Sequence, residues 1–347
     1  MSELGEVAPA QRFDTAALKA HLERHIDGFG QDMAVQQIKG GASNPTFKLT
    51  TQALAGPLHY VLRKKPPGQL LASAHQVDRE YRVMKALEGC GVPVPRMRHL
   101  CTDDSVIGTA FYVMDFLEGR VFRDAALPGV SKADRAAIYD ELNATLAKLH
   151  QVDYEAAGLS DFGRPGGYFE RQVSRWIKQY RGAETQNIPA MERLIEELPG
   201  LIPPDQSVAI AHGDYRLENT MFHPTQPRLI AVLDWELCTI GHPLADIAYN
   251  CFLWHSESPS WGTLIGVDLA TSGIPSEAEY RDAYCRRTGR TAIPDWNFYL
   301  AFGVFRLASI SQGVYRRQLN GVMPLDRPAI NGTPRLAEQA LELLHRS

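Results

Sequence analysis

A short segment near the middle of the chain carries two aspartates and an asparagine at defined spacings. Asp214 lies two residues after His212, Asn219 follows five residues later, and Asp234 comes fifteen residues after Asn219. Phosphoryl transfer from a nucleotide needs a carboxylate that orients the attacking hydroxyl, oxygen ligands for Mg²⁺ and cations on the phosphates. Read alone, His-Gly-Asp could equally be an ordinary turn, but a turn requires neither Asn219 nor Asp234. The combination therefore predicts a catalytic and Mg²⁺-binding loop.

The same segment resembles a known family. Asp214 and Asn219 have the spacing of the protein-kinase loop H-R-D-x-x-x-x-N. The run H-G-D-x-x-x-x-N followed by D-W-E at residues 234–236 is more similar to the aminoglycoside phosphotransferase family, relatives of choline and homoserine kinases. The resemblance extends over residues 30–320. The stretches 62–68 and 78–81 are similar to the kinase-like domain found N-terminal to certain acyl-CoA dehydrogenases, here expected as a stand-alone version without the dehydrogenase part.

The resemblance implies a role for each residue of the loop. It makes Asp214 the catalytic base and assigns Asn219 and Asp234 as the Mg²⁺ ligands. Arg216 stands where protein kinases often carry a lysine that faces the γ-phosphate, so we expect a phosphate contact there. Asp246 matches a family aspartate that braces the backbone of the catalytic loop. The implied cofactors are ATP and Mg²⁺.

Weaker features upstream suit a nucleotide. The loop Gly40-Gly41-Ala42-Ser43-Asn44 joins two predicted strands, so Gly40, Gly41, Ser43 and Asn44 could present backbone N–H groups to phosphates. The loop does not read G-x-G-x-x-G, and an ordinary glycine hairpin is an equal alternative.

A predicted strand then carries the cation that would pair with the phosphates. The family motif aligns with Arg63, where many kinases have lysine, and Glu80 on the next helix matches its ion-pair partner. Side chains alternate faces along a strand, so Arg63 and Lys65 share one side and Lys64 the other. The sequence leaves open whether Arg63 or Lys65 pairs with the phosphates. Both Arg63 and Glu80 could also be exposed surface charges.

The run Phe111–Gly119 resembles the hinge that contacts adenine. The resemblance places Met114 at the back of the adenine pocket. It assigns the carbonyl of Asp115 and the N–H of Leu117 to the adenine edge. A buried strand explains the apolar residues equally well, and both interpretations can hold together.

The elements that must position these residues fall into two groups. Short alternating runs and glycine or proline turns fill the first third, with a helix near 77–87. The remainder is mostly helical, with two short strands around the central loop. We predict an α+β, bilobal protein-kinase-like fold, with a small antiparallel-sheet nucleotide-binding lobe at 1–117 and a larger, mainly helical lobe at 118–347 that holds the catalytic loop and the substrate site. The helices of that lobe are expected near 131–150, 167–182, 190–198, 276–287, 296–318 and 334–345.

Composition limits the possible partners. The net charge of −4 argues against a general nucleic-acid binder. Five cysteines without C-x-x-C spacing and a charged N-terminal stretch predict a cytoplasmic protein without a signal peptide. The sequence has no uncharged apolar run of about 18 residues, so no membrane span is predicted. Eleven histidines show no H-E-x-x-H and no His/Cys cluster with zinc-like spacing, so we predict no metal site from them.

Several functions remain open at this point. The leading hypothesis is an ATP-dependent kinase acting on the hydroxyl of a small molecule, and the resemblance implies a hydroxyacyl-CoA-type acceptor. An aminoglycoside or choline-type kinase, a non-catalytic kinase-fold nucleotide-binding module and a carboxylate-rich metallohydrolase are alternatives. D-F-G and A-P-E are missing, which disfavours a protein kinase. The oligomeric state is not predicted.

Overall fold

The chain forms two compact units in the computed structural model. The described residues are 4–39, 44–66, 76–257, 262–321 and 330–346. The first unit comprises Met1–Phe122 with Glu218–Cys238, and the second comprises Arg123–Leu217 with Thr239–Ser347. The predicted division between residues 117 and 118 differs from these units chiefly in Glu218–Cys238, which packs with the first unit.

A six-stranded antiparallel sheet forms the frame of the first unit. Its strands are β1 (Leu4–Gly5), β2 (Gln31–Ile38), β3 (Thr46–Ala53), β4 (Gly56–Lys64), β5 (Met97–Cys101) and β6 (Phe111–Asp115). Their order across the sheet is β1-β2-β3-β4-β6-β5. The β3–β4 turn lies at residues 54–55, because Gly56, with a φ of 120°, already pairs with Ala53. The strand β5 was not predicted.

The helix α1 (Thr15–His25) packs on the core of this sheet. It begins where the side chain of Asp14 accepts hydrogen bonds from two backbone N–H groups. Leu18 and Leu22 are fully buried, and each contributes about 2 kcal/mol through burial. The helix ends at His25, and Phe29 reaches the same core from the following turn.

A second helix and a small ribbon complete the first unit. The helix is α2 (Val77–Leu87), and the ribbon consists of β8 (Thr220–Phe222) and β9 (Leu229–Val232). The N–H of Val232 donates to the carbonyl of Pro93 at 2.9 Å, and α2 packs on the 3₁₀ turn Trp235–Leu237. These contacts explain why 218–238 joins the first unit.

Helices dominate the second unit. They are α3 (Lys132–Gln151), α4 (Tyr168–Ala183), α5 (Pro189–Glu197), α6 (Pro243–Cys251), α7 (Leu269–Ser272), α8 (Glu277–Thr288), α9 (Trp296–Leu319) and α10 (Thr333–Leu344). The strand β7 (Ala209–Ala211) pairs antiparallel with β10 (Thr239–Gly241). The helices α4, α5, α8, α9 and α10 begin and end within one residue of the predicted ranges. None of the described helices is both long enough and apolar enough to cross a membrane.

Candidate active site

The loop that follows β7 is anchored through its backbone by one buried carboxylate. Asp246 on α6 accepts from the N–H of His212 at 2.6 Å and from the N–H of Gly213 at 2.9 Å. Gly213 has a φ of 83°, a conformation that a residue with a Cβ rarely adopts. The structure thus contains the bracing contact that the resemblance implies for Asp246.

The charge of Asp246 is stabilised by a further donor. His150 Nε2 donates to Asp246 Oδ2 at 3.3 Å, and the hydroxyl of Tyr284 lies 2.7 Å from His150 Nδ1. Burial by itself would raise the pKa of Asp246, but His150, His212 and the N–H of Gly213 outweigh it, so the pKa lies below 3.8. The carboxylate therefore stays ionised and rigidly bonded at neutral pH.

The side chain of Asp214 is held by a tyrosine that the sequence did not single out. Tyr249 on α6 donates its hydroxyl to Asp214 Oδ1 at 2.6 Å. Burial and the charge of Asp214 raise the pKa of Tyr249, so the phenol keeps its proton and remains a donor. Arg216 Nε lies 3.7 Å from the same oxygen. The two predicted catalytic residues, Asp214 and Arg216, therefore lie side by side.

An arginine from α9 fixes the loop from another direction. Arg306 donates to the carbonyl of Gly213 at 2.6 Å. Its guanidinium lies 5.7 Å from the centre of the Trp176 ring and 5.5 Å from that of Tyr249, which are cation–π distances. Gly213 is thus bonded through its N–H and through its carbonyl, and this limits the movement of the adjacent Asp214.

In the first unit, one arginine bridges two predicted site residues. Arg63 on β4 lies 3.2 Å from Glu80 Oε2 and 2.9 Å from Asp234 Oδ1. Glu236 is more distant, at 3.9 Å. Only 1% of the Glu80 side chain is exposed, which excludes the alternative of an exposed surface charge. The Arg63–Glu80 pair is therefore a buried ion pair.

Glu80 receives two further hydrogen bonds. Asn44 donates to Oε1 at 2.7 Å, and the hydroxyl of Tyr112 donates to Oε2 at 3.0 Å. Burial raises the pKa of Glu80 to about 7, although Arg63 and Tyr112 act to lower it. Asn44, which we expected near phosphates, has its side chain buried against Glu80. Gly40, Gly41 and Ser43 lie outside the described residues.

Asn219 and Asp234 lie at the same end of the β8–β9 ribbon. Thr220 pairs with Val232, and the N–H of Leu233 donates to the carbonyl of Asn219 at 2.8 Å. Asp234 has a φ of 64°, the left-handed conformation that is uncommon for residues other than glycine. A carboxylate and an amide oxygen are donors that fit Mg²⁺. These two residues belong to the first unit, whereas Asp214 belongs to the second.

Two lysines, Lys64 and Lys65, follow Arg63 along the chain and make different contacts. Lys64 is buried, and its Nζ donates to Gln11 at 3.2 Å, so it lies on the face opposite Arg63 as strand alternation predicts. Lys65 follows β4, and its N–H donates to the carbonyl of Ala110. Arg63 is thus the cation that pairs with Glu80.

The predicted hinge residues follow one another at the end of β6, an interior strand of the sheet. Met114 and Asp115 end β6, where Met114 pairs with Val61. The carboxylate of Asp115 forms a bidentate pair with Arg98, at 2.5 and 2.9 Å. Leu117 follows the strand and is partly buried. The Asp115 side chain is therefore used in an ion pair with Arg98. The contact of its backbone carbonyl with adenine stays a prediction.

Tyr249 and Arg306 are the functional residues that sequence reasoning missed. Tyr249 lies three residues after Asp246, on the same helical face, so the spacing was a usable signal. Arg306 is a charged residue within the apolar run 298–308, where a lone cation suggests a buried partner. Among the tryptophans of the second unit, Trp254 donates to the carbonyl of Pro275, and Trp261 lies outside the described residues.

Comparisons with known proteins identify the family and the fold of this chain. Residues 34–302 match the phosphotransferase enzyme family. A crystal structure of a candidate aminoglycoside phosphotransferase from Ralstonia eutropha JMP134 is 49% identical, with a TM-score of 0.88 over 96% of this chain and 98% of that one. Choline kinase from Cryptosporidium parvum, 14% identical, has a TM-score of 0.63 over 95% of this chain and 94% of that one, which shows the fold alone. The predicted kinase-like fold is confirmed.

A curated relative supports the resemblance to acyl-CoA dehydrogenase proteins. Human acyl-CoA dehydrogenase family member 11 is 46% identical over all of this chain, which covers 45% of that protein. The chain thus spans less than half the length of the curated relatives it matches first. The family match, over more than half of the chain, and this identity lead to one conclusion. The chain belongs to the phosphotransferase enzyme family.

Proposed function

We propose that the chain transfers the γ-phosphate of ATP, in the presence of Mg²⁺, to a hydroxyl group of a small molecule. The observation that carries this proposal is the way Asp214 is held. Its carboxylate accepts from Tyr249 at 2.6 Å, while Asp246 and Arg306 bond the backbone next to it. A base that orients a hydroxyl needs such a fixed geometry, because catalysis of phosphoryl transfer is mainly positioning and charge stabilisation.

The nucleotide-binding role falls to the first unit in this proposal. Arg63 contacts the α- and β-phosphates and Glu80 orients it, a role that the buried contact of Arg63 with Glu80 at 3.2 Å supports. Asn219 and Asp234 hold Mg²⁺, whose contribution is to neutralise the charge that develops on the phosphates. Asp234 now contacts Arg63 at 2.9 Å, and to hold the ion its carboxylate would have to give up that contact. The hinge 114–117 receives adenine.

For the acceptor we propose a hydroxyacyl-CoA-type compound. The identity to an acyl-CoA dehydrogenase family member supports this class over aminoglycosides. A groove in the second unit between α4 and α9 adds a physical reason. Arg316 and Arg317 line it, and two cations suit an anionic acceptor. Trp176 lines the same groove and stacks on Arg306, which bonds the loop of Asp214.

An acceptor panel with γ-labelled ATP tests the proposal. The panel contains hydroxyacyl-CoAs, the matching free hydroxy acids, an aminoglycoside and choline, with Asp214→Asn as the blank. We expect label on the hydroxyacyl-CoA, dependent on Mg²⁺, and much less on the free acid, which lacks the anionic CoA. Hydrolysis alone with every acceptor would refute the small-molecule kinase. Nucleotide binding without any turnover would favour the non-catalytic module.

A further inference from the structure

Three histidines converge in the first unit, far along the chain from the loop of Asp214. His21 and His25 lie one turn apart on α1, and His99 lies on the edge strand β5. One ring nitrogen from each lies within 4.8 Å of the others. The ring centres are 4.2 Å apart for His21 and His25 and 4.6 Å apart for His25 and His99. Such close packing of three imidazoles needs a reason beyond apolar burial.

The hydrogen bonds of the cluster limit which nitrogens could bind an ion. His25 Nδ1 lies 2.7 Å from the carbonyl of His21, and a carbonyl only accepts, so Nδ1 carries a proton and Nε2 of the neutral ring is the nitrogen with a lone pair. This second hydrogen bond to a backbone carbonyl is the usual support of a metal-binding histidine. His21 Nε2 and His99 Nε2 lie 2.9 Å apart, and only one of the two can hold a proton between them.

The dimensions fit a small transition-metal ion. Zn–N bonds of about 2.0–2.1 Å place two tetrahedral nitrogen ligands about 3.3 Å apart. One nitrogen pair in the cluster is 2.9 Å apart, and one nitrogen from each ring lies within 4.8 Å of the others, so these two distances bracket the required spacing. The proposal requires the exposed His25 ring to rotate until its nitrogen reaches the ion. A set of three imidazoles suits Zn²⁺, Cu²⁺ or Ni²⁺ and does not suit Mg²⁺.

We propose that His21, His25 and His99 bind one divalent transition-metal ion, of which Zn²⁺ is the representative, with a water molecule in the fourth position. The ion ties the N-terminal helix to the edge strand of the sheet and so stabilises the folded first unit. This site is separate from the Mg²⁺ ligands, and it does not depend on the proposed phosphotransferase activity.

The protonation state of the cluster is compatible with this role. Burial, together with the neighbouring His25 and His21, lowers the pKa of His99 to about 4. Burial, followed by His25, also lowers the pKa of His21. Neutral imidazoles are the form that binds metal.

The test is metal titration of protein made without a polyhistidine tag and stripped with a chelator. Zn²⁺ binding is followed by calorimetry, Co²⁺ by the visible absorption of tetrahedral cobalt, and stability by the melting temperature. We expect one ion per chain and a higher melting temperature on Zn²⁺ addition. His25→Gln and His99→Gln should each weaken binding at least about tenfold, whereas His345→Gln, an exposed histidine on another element, should not.

Two results would overturn the proposal. The first is equal Zn²⁺ affinity in the wild type and in His25→Gln, which folds because His25 is exposed on the helix surface. The second is binding that disappears in Asp234→Asn but persists in both histidine variants, which would place the ion at the carboxylates. Because these readouts need no substrate, a failed acceptor panel would leave the result unaffected.

Discussion

The hydroxyl of Tyr249 donates to Asp214 Oδ1 at 2.6 Å, and this bond fixes the carboxylate proposed to orient the acceptor hydroxyl. The tyrosine is buried on α6, and burial raises its pKa, so it donates throughout the physiological pH range. It therefore acts as a positioning residue through Asp214.

Tyr249→Phe tests this role. A hydrogen bond to a charged group contributes about 1.5–3 kcal/mol, so we expect kcat to fall about 10- to 100-fold while the KM for ATP changes little. Steady-state kinetics at saturating acceptor measures both constants. Tyr299→Phe is the matched control, because the buried hydroxyl of Tyr299 has no hydrogen-bond partner in the part of the chain that the structure describes. Equal kcat values in the two variants would rule out positioning by Tyr249.

Because Arg63 and Glu80 form an ion pair, we predict that Arg63→Met lowers the free energy of unfolding by an amount that depends on pH. The pKa of Glu80 in the fold, about 7, lies above its ordinary value of 4.5, so the stability linked to its protonated form is lost as the pH rises between these values. Without Arg63 the folded pKa rises further, and this loss continues above pH 7. We expect the variant to lose about 3 kcal/mol at pH 9 and less at pH 6.

Urea unfolding at both pH values checks this expectation. Arg193→Met is the control, since the Arg193–Glu197 pair lies at the surface, with 57% of the arginine side chain exposed. That variant should change the free energy of unfolding by less than about 0.5 kcal/mol at either pH. If Arg63→Met lowered the free energy of unfolding equally at pH 6 and pH 9, Arg63 would not influence the ionisation of Glu80 as proposed.

Asp246→Asn should loosen the catalytic loop. The amide replaces one acceptor oxygen by a donor that faces the N–H groups of His212 and Gly213, and we expect a loss of about 3 kcal/mol in stability, with reduced kcat. Because the folded pKa of Asp246 lies below 3.8, its stabilisation is complete above that value and is lost as the pH falls through the folded pKa. The difference between wild type and variant, measured by urea unfolding, should therefore shrink below about pH 4. A difference that is constant down to pH 2 would contradict the assigned ionisation.

Asn219→Ala tests the metal ligand. The Leu233–Asn219 bond uses only backbone atoms, so the variant keeps this bond of the ribbon. We expect the Mg²⁺ concentration for half-maximal transfer to rise about tenfold or more, since ligand loss weakens the ion's binding. Asn187→Ala, at an exposed position between α4 and α5, is the control. An unchanged Mg²⁺ requirement would remove Asn219 from the metal site.

Residues that lie close together along the chain were the most predictable part of the site. The spacing of Asp214, Asn219 and Asp234 could be compared directly with a motif, and the amphipathic helices α4, α5 and α10 were predicted to within one residue. All nine residues of α6 are buried, so this helix shows no alternation of apolar and polar faces and was missed. Its omission also concealed Tyr249.

Contacts between distant positions could not be predicted from spacing. Arg63 and Asp234 are 171 residues apart, and only the fold brings their charges together. His21 and His99 are 78 residues apart, so the histidine cluster did not appear as zinc-like spacing, although the separation of His21 and His25 by four residues was visible. Asn44 was expected near phosphates, but its side-chain amide donates a hydrogen bond to the buried carboxylate of Glu80.

The most direct test of the proposed chemistry is a single-turnover measurement of phosphate transfer by Asp214→Asn, with binding of Mg²⁺·ATP measured separately. A general base contributes about 10²- to 10⁴-fold, so we predict a fall in the transfer rate of that size with nucleotide binding unchanged. A variant that transfers phosphate at the wild-type rate would contradict the role of Asp214 as the catalytic base.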